Sequence, residues 1–247
     1  MKNRFHKFRD TNQIIKPEQI SGKKSAMSAD HLTVIRFLID KYALQGKKRL
    51  YASFFCIRKA FDSVDRSILF YTLLQKYQIG GNFLKLLGQM YENNQMYVKL
   101  SAGLTQPFNT ALGLKQGCVL SPLIFNIFIN DLPDHFNDHC DSVIINDTKV
   151  QALMFADDVM ILSQSSEGLK KSIKITVDYF HDLNLSANFD KSQVMIINAR
   201  GLLLDKDPDH QFHVHGQVLK VVREYNYLGV KLTTSNAASH GAAELFA

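Results

Sequence analysis

Residues 142–165 read SVIINDTKVQALMFADDVMILSQS, in which two apolar runs flank a polar tip, Asp157-Asp158. The runs lack a helical period, so the stretch is expected to form a β-hairpin with two carboxylates at its turn. Aspartate is common in turns, which is an ordinary structural explanation of the pair. However, both arms are apolar, and two like charges at the end of a buried hairpin cost free energy unless a cation neutralises them. Because hard carboxylate oxygens suit Mg²⁺, the tip is a candidate metal site.

Strands and helices are predicted on both sides of this hairpin. The apolar run at 50–55 is typical of a buried strand. Ser121 as N-cap and Pro122 at the first helical position predict a helix that ends before Pro133. The other predicted elements are helices over 29–46 with Gly46 as C-cap, from Asp62 or Ser63 to Gln75, over 82–94 and over 166–185, and strands at 95–101, 108–113, 192–200 and 213–233 with a turn at Gly216. Because helices can cover only one face of such a mostly antiparallel sheet, the predicted fold class is α+β.

The composition favours a folded protein with a basic surface. Hydrophobic residues make up 46% of the 247 residues, enough for a core, although the polar, lysine-rich residues 1–28 are expected to be partly disordered. The formal net charge of +6 fits a polyanionic partner such as nucleic acid, but many basic proteins bind none. The three cysteines lack CxxC or metal-ligand spacing, and no signal peptide or membrane-spanning run is visible. We therefore expect a soluble intracellular protein, in the nucleus or the cytoplasm, with reduced thiols and no membrane partner.

A second candidate site is the glycine-rich stretch GLKQGCVLSPLIFNIFIND, residues 113–131. Gly113 and Gly117 allow the backbone to approach a ligand closely, while Lys115 and Gln116 supply a cation and an amide donor. A turn of this kind before a helix suits anionic or sugar groups. A loop that needs glycine only for its turns explains the same residues, and taken by itself the stretch favours that structural explanation.

Five stretches, in this order along the chain, resemble motifs A to E of a reverse transcriptase: KAFDSVDR (59–66), GLKQGCVLSPLIFNIFINDL (113–132), FADDVMIL (155–162), NLSANFDKSQVMI (184–196) and YNYLGV (225–230). The resemblance is closest to the non-LTR, long interspersed type of retrotransposon and covers roughly residues 15–233. It implies a right-hand polymerase fold, in which an antiparallel sheet backed by helices forms the palm, with partial fingers and a truncated thumb.

The resemblance also implies how the chain divides. The implied parts are partial fingers at 1–49, palm with motif A at 50–76, a fingers insertion at 77–111, palm with motifs B, C and D at 112–222, and motif E with the start of a truncated thumb at 223–247. No endonuclease domain is recognisable in these residues. We therefore expect the chain to be a fragment of a retroelement protein, decayed or domesticated.

The reaction implied by the resemblance is two-metal nucleotidyl transfer from a dNTP to the 3′-hydroxyl of a DNA primer on an RNA template. Two Mg²⁺ ions, with Mn²⁺ as an alternative, would lie about 3.5–4 Å apart and need carboxylates from two separate elements. Asp157 resembles the motif C metal ligand, and Asp158 is its acidic neighbour. Lys191 resembles the motif D lysine that protonates the leaving pyrophosphate, although an exposed lysine at a strand end is an equally good explanation of the residue type.

The resemblance assigns nucleotide contacts to four further residues. Phe61 occupies the position of the aromatic steric gate, whose ring would collide with a 2′-hydroxyl and so favour deoxynucleotides. Gln116 and Gly117 resemble the pair that lies against the incoming nucleotide, and Lys115 beside them is a phosphate-binding candidate. Residues 227–229, YLG, resemble the primer-grip hairpin.

One departure from the family falls on the metal site. The family keeps an aspartate five residues before the aromatic gate, and here that position is Cys56. Asp62 and Asp65 lie beyond the gate and are interpreted as a capping residue and a solvated helix acid. A thiol with a pKa of about 8.5 is neutral at physiological pH, and a thiolate is a soft ligand that matches Mg²⁺ poorly. The sequence therefore predicts a polymerase domain with little or no Mg²⁺-dependent activity.

A second departure lies upstream, where the family tends to carry arginines. Residues 20–29 read ISGKKSAMSA, so Lys23 and Lys24 preserve part of the charge. Lysine does not replace arginine in bidentate phosphate contacts, which predicts weakened fingers contacts to template or triphosphate.

Two alternative hypotheses come from other functional classes. The first is a catalytically silent module that still binds RNA or an RNA/DNA hybrid through its basic surface, with an affinity that falls steeply as salt increases. The second is a translated relic that does not fold, which a cooperative thermal transition would exclude. Template preference and oligomeric state are left open by the sequence.

Overall fold

The computed structural model describes residues 2–23, 27–92, 94–101, 103–136, 138–198 and 208–234. Seven α-helices lie in these ranges: α1 Lys2–Thr11, α2 Ser28–Leu38, α3 Ala60–Ser63, α4 Arg66–Gln75, α5 Gly81–Tyr91, α6 Ser121–Phe128 and α7 Ser166–Asp182. A π-helical segment, Ile39–Gln45, continues α2, and short 3-10 turns lie at Leu132–His135, Asp138–Cys140 and Pro208–His210. No helix in these ranges is both long enough and apolar enough to cross a membrane.

The described strands are β1 Leu50–Cys56, β2 Gln95–Met96, β3 Lys99–Leu100, β4 Gly103–Leu104, β5 Phe108–Asn109, β6 Val143–Ile145, β7 Thr148–Val150, β8 Ala152–Phe155, β9 Asp158–Ser163, β10 Gln193–Ile197, β11 Phe212–Val214, β12 Gln217–Val222, β13 Glu224–Tyr227 and β14 Val230–Thr233. Six of them form the central sheet in the order β11-β12-β10-β1-β9-β8. Only the β10–β12 pair in this sheet is parallel. The predicted α+β class and the predicted hairpin, β8–β9, are confirmed.

Strand β1 lies in the middle of the sheet and is buried on both faces. One face carries Tyr51 and Phe55 and packs in the larger core with α6 and α7. The other face carries Ala52 and Phe54 and packs with α2 and the β13–β14 hairpin. The expectation that helices cover only one face is therefore wrong. Apolar side chains of the run at 50–55 point to both faces of the sheet, so both faces need to be covered.

The N-terminal segment is folded where it is described, which overturns the expected disorder for residues 2–23. Helix α1 packs against α5, where the rings of Phe5 and Phe83 stack with centroids 4.3 Å apart. Phe5 is almost fully buried, as are Ile14, Ile15 and Ile20 further along the segment. These few apolar residues anchor a segment whose overall composition is polar.

The helix expected from Asp62 or Ser63 to Gln75 is divided into α3 and α4. Val64 between them is extended, with φ −58° and ψ 118°, and Asp65 is the N-cap of α4. Its carboxylate accepts hydrogen bonds from the backbone N–H groups of Ser67 (2.8 Å) and Ile68 (3.3 Å). The cap is therefore Asp65 and neither Asp62 nor Ser63.

Replacement of this cap should destabilise the protein measurably. Asp65→Ala is expected to lower the free energy of unfolding by about 1 kcal/mol, because two helix N–H groups lose their acceptor. Asp62→Ala is the matched control, since its carboxylate caps no helix and accepts instead from the Gln116 side chain. Urea unfolding of both variants measures the difference. An equal loss in the two would contradict the assignment of the cap.

Some other boundary predictions are confirmed, but the expected strands 95–101 and 108–113 are present only as the two-residue strands β2, β3 and β5. Gly46 follows the π-helical segment as its C-cap, and Gly216 (φ +74°) forms the turn between β11 and β12. Helix α6 ends at Phe128, before Pro133, and has proline in its first turn. Ser121 is the first residue of that helix and not its N-cap, which is Leu120. The Ser121 hydroxyl donates instead to the Lys115 carbonyl (2.7 Å). Expected strand residues 199–200 and the C-terminal residues 235–247 lie outside the described residues.

Candidate active site

Antiparallel pairing of β1 with β9 brings Cys56 opposite Asp158. Asp157 precedes Asp158 in the tight turn of the β8–β9 hairpin. The Cys56 Sγ and one carboxylate oxygen from each aspartate all lie within 4.8 Å of one another. The structure thus assembles three of the predicted site residues, which we call the Cys–Asp cluster, at the end of the central strand pair.

Like charge and burial dominate the electrostatics of this cluster. Burial raises the pKa of the Cys56 thiol, and the neighbouring charges of Asp157 and Asp158 raise it further, while Lys191 acts in the opposite direction. Burial also raises the pKa of the Asp158 carboxyl, and the charge of Asp157 adds to this effect. Burial and the two aspartates therefore both favour the neutral form of the thiol.

The backbone of Cys56 is held by the loop that leads into β10. The Asn188 N–H donates to the Cys56 carbonyl (2.8 Å), and the Cys56 N–H donates to the Ser192 hydroxyl (3.3 Å). Lys191 lies in this loop with an exposed side chain. Its charge favours ionisation of both Cys56 and Asp158, so the predicted lysine is close enough to influence the cluster.

The glycine-rich stretch packs against α3, a helix that begins four residues after Cys56. The Gly113 N–H donates to the Val64 carbonyl (2.8 Å), and the Leu114 N–H donates to the Phe61 carbonyl (2.7 Å). A Cβ added at Gly113 (φ +87°) would lie 2.9 Å from the backbone oxygen of Asp62. The close approach that this glycine permits is therefore one to the protein's own backbone.

The candidate residues that follow differ from Gly113 in their surroundings. Gly117 has φ +77°, and a Cβ added there would meet nothing within 4 Å, so its backbone faces open space. Gln116 Nε2 donates to the Asp62 carboxylate (2.9 Å), which ties the loop to α3. Lys115 Nζ lies 5.9 Å from the centroid of the Tyr91 ring. These groups line the exposed edge of the loop.

Phe61, the predicted steric gate, is half-buried on α3. Its ring stacks on the buried Phe125 of α6, with centroids 4.9 Å apart and an interplanar angle of 29°. Arg66 braces the same region by donating to the carbonyls of Thr110 (2.6 Å), Leu112 (2.7 Å) and Gly113 (2.8 Å). Phe61 and the glycine-rich loop thus form one packed unit beside the end of β1.

Two residues near the cluster were missed by sequence reasoning. Gln19 is fully buried, and its side-chain oxygen accepts from the N–H of Ala156 (3.2 Å), a residue with φ +53° in the turn before Asp157. The Met154 N–H donates to the Glu18 carbonyl (2.8 Å), and the Ile20 N–H donates to the Met154 carbonyl (3.1 Å). These two bonds attach the segment around Gln19 to β8. No local pattern marks such a residue, because its partner lies more than a hundred positions away.

Tyr225 is the second missed residue. Its ring stacks on Phe54 with centroids 3.9 Å apart, on the face of β1 covered by the β13–β14 hairpin. Burial raises the pKa of Tyr225 to about 12, with smaller contributions from Asp158 and Cys56. The hairpin with the expected primer-grip sequence therefore packs next to the Cys–Asp cluster.

Lys23, which was expected to preserve charge in the fingers, contacts the protein's own backbone. Lys23 Nζ donates to the Lys16 carbonyl (2.7 Å), and its side chain is half-buried. Burial lowers the pKa of Lys23. Lys24 lies outside the described residues.

Comparison with known proteins identifies the family to which the chain belongs. The profile of the family described as "Reverse transcriptase (RNA-dependent DNA polymerase)" matches residues 2–232. A retrovirus-related Pol polyprotein from the type-2 retrotransposable element R2DM of Drosophila melanogaster is 25% identical over 224 residues, which are 87% of this chain and 20% of the relative. The RNA-directed DNA polymerase from the mobile element jockey of the same species is 23% identical over 243 residues, 93% of this chain and 24% of the relative. The chain thus spans a quarter or less of these relatives.

Solved structures show the same fold. Telomerase from Candida tropicalis, in complex with the TWJ fragment of telomeric RNA, superposes with a TM-score of 0.64 at 11% identity and covers 98% of this chain and 36% of that chain. The apo telomerase of that organism gives a TM-score of 0.60 at 13% identity, over 97% of this chain and 39% of that chain. The match of the family profile along nearly the whole chain shows that the protein belongs to the reverse transcriptase family, and its relatives are polyproteins of non-LTR retrotransposons.

Proposed function

We propose that this chain is the palm-centred part of a reverse transcriptase that copies RNA into DNA, and that its Mg²⁺-dependent activity is impaired. The observation that carries the proposal is the pairing of Cys56 with Asp158 beside Asp157. It supports metal ligation by the two aspartates and the loss of the third ligand at Cys56. Around this cluster we assign nucleotide contacts to Phe61 and to the residues of the glycine-rich loop, Lys115, Gln116 and Gly117, and a proton-donor role to Lys191.

The division of the chain that we propose agrees with the sheet. All six strands of the central sheet fall within residues 50–76 and 112–222, which we assign to the palm. Residues 1–49 and 77–111 are assigned to the fingers, and residues 223–247 to motif E and the start of a thumb.

The donor atoms of the cluster do not fit a pair of Mg²⁺ ions. Two ions need carboxylates from two separate elements, and here both carboxylates come from the β8–β9 hairpin. The remaining donor, on β1, is a thiol, which Mg²⁺ binds poorly because this ion prefers oxygen. The residues of this domain therefore leave the metal centre incomplete. The proposed ligands of the domain are an RNA template, a DNA primer and a dNTP.

The test of this function is RNA-templated primer extension with Mg²⁺ or Mn²⁺ by the Cys56→Asp variant. DNA synthesis is expected from this variant and is expected to disappear in Cys56→Asp/Asp157→Asn, which keeps the new carboxylate and removes one from the hairpin. Synthesis that survives in the double variant would contradict the proposed active site.

A silent hybrid-binding module is the second candidate function. The observation that favours it is the set of exposed cations in segments next to the cluster, namely Arg58, Lys59, Lys115 and Lys191. Phosphate binding needs these cations but does not need a carboxylate side chain at position 56. Wild-type protein that binds an RNA/DNA hybrid without extending it would favour this function over the first.

The affinity of the proposed hybrid-binding surface should depend strongly on salt concentration. The logarithm of the affinity for a 5′-labelled RNA/DNA hybrid is expected to fall linearly with the logarithm of salt concentration. Arg58→Ala should weaken binding and reduce the slope by about 1, since one phosphate contact is lost. Lys174→Ala is the control, because Lys174 already pairs with Asp178 (2.5 Å) on α7. The same change of slope in both variants would argue against binding at the site.

A further inference from the structure

We propose that the Cys–Asp cluster binds a single Zn²⁺ ion, in place of the Mg²⁺ pair that its donors do not fit. The ligands would be the Cys56 thiolate and one carboxylate oxygen each from Asp157 and Asp158, with water as the fourth ligand. The inference rests on the same cluster as the proposed function but requires neither template binding nor synthesis.

The geometry of the cluster suits a small tetrahedral ion. Zn–S distances are about 2.3 Å and Zn–O distances about 2.0–2.2 Å, so ligand atoms in a tetrahedral site lie about 3.5 Å apart. The three donor atoms lie within 4.8 Å of one another. Binding would require their side chains to rotate until the separations reach about 3.5 Å. All three residues are partly exposed, which leaves an open side for a water ligand.

The elements that carry the donors are held in place. Asn188 and Ser192 hold the carbonyl and the N–H of Cys56, so the loop before β10 fixes the backbone position of this residue. The buried Gln19 holds Ala156, and with it the turn that carries Asp157. The pairing of β1 with β9 sets the position of Asp158. A metal ion would therefore bind donors whose backbones are already ordered.

The donor chemistry discriminates between metal ions. Three protein ligands with one position open to water are typical of catalytic zinc sites, and cysteine thiolates and carboxylates both serve as zinc ligands. Mg²⁺ requires near-octahedral oxygen coordination and retains its waters. Zn²⁺ is also the stronger binder at mixed sulfur and oxygen donors, and its charge offsets the repulsion between the two carboxylates. A bound Zn²⁺ would occupy both hairpin carboxylates and keep Mg²⁺ from them.

Co²⁺ serves as the probe, because a cobalt–thiolate bond gives a charge-transfer absorption band that cobalt–oxygen sites lack. Wild-type protein titrated with Co²⁺ is expected to show this band, and Zn²⁺ but not excess Mg²⁺ is expected to abolish it. Cys56→Ser should lose the band and weaken Zn²⁺ binding by more than about 100-fold, since even partners outside the ligand shell account for about 10–100-fold. Cys118→Ser, the matched control at another half-buried cysteine, should retain both.

A second variant covers the case in which Cys56→Ser fails to fold. Asp157→Asn keeps the thiol and is expected to weaken Zn²⁺ binding by about 10-fold or more while a band remains at saturating Co²⁺. No band in the wild type, a band that persists in Cys56→Ser, or a band lost in Cys118→Ser would overturn the proposal. Because none of these measurements involves synthesis, a failed primer extension by Cys56→Asp would count against the proposed function and leave the zinc site standing.

Discussion

Cys56→Asp is expected to raise Mg²⁺-dependent DNA synthesis on an RNA template at least about 100-fold above the wild-type protein. Loss of a partner outside the ligand shell of a metal already costs about 10–100-fold, and a missing ligand costs more. The pairing of Cys56 with Asp158 means that the new carboxylate would face the hairpin carboxylates across the strand pair. The variant would then have oxygen donors on two elements, as a two-ion centre requires. Single-nucleotide incorporation rates measure the gain.

Two controls separate a restored ligand from a general effect of substitution. Cys56→Ser has a side chain of similar size without a carboxylate, so it should remain as inactive as the wild type with Mg²⁺. Thermal unfolding of Cys56→Asp should respond to Mg²⁺, because the ion would relieve repulsion among three carboxylates, while the wild type should not respond. Robust synthesis by the wild type with Mg²⁺, or equal activity of the serine and aspartate variants, would refute the assignment of Cys56.

Gly113→Ala should be the most destabilising substitution in the glycine-rich loop, with a loss of about 3 kcal/mol in the free energy of unfolding. Two costs add at this position: the left-handed conformation (φ +87°), and a Cβ only 2.9 Å from the backbone oxygen of Asp62. The obstructing atom belongs to the backbone of α3, so it cannot move aside as a flexible side chain would. The hydrogen bond from the Gly113 N–H to Val64 would be strained by the same shift.

Gly117→Ala provides the matched comparison for this prediction. It shares the left-handed conformation (φ +77°) but has nothing within 4 Å of the added Cβ, so a loss of about 1 kcal/mol is expected. Urea unfolding measures the loss in each variant, provided that the dependence of the unfolding free energy on urea concentration is the same as in the wild type. The difference between the two losses is the steric part of the cost. Equal losses would show that Gly113 is required only for its backbone conformation.

The comparison of these glycines shows where sequence reasoning reached its limit. Both glycines were expected to permit close backbone approach, but only Gly113 closely approaches another part of the chain, and the sequence does not distinguish it from Gly117, which faces open space. The same limit affected the helix cap. Asp62 and Asp65 are equally good capping residues by type, and the choice between them depends on the extended Val64, which divides α3 from α4.

The apolar arms around Asp157-Asp158 and the spacing of five residues between Cys56 and Phe61 are properties of the sequence alone. They were sufficient to predict the hairpin and, through the order of the motifs, the family, because local periodicity and motif order need no knowledge of distant contacts. Only the tertiary structure decided that Cys56 lies opposite Asp158, that Gln19 supports the turn before Asp157, and that Tyr225 packs under the same strand. These contacts join residues far apart along the chain, and strand register and packing, which set them, are determined by the burial of the whole sheet.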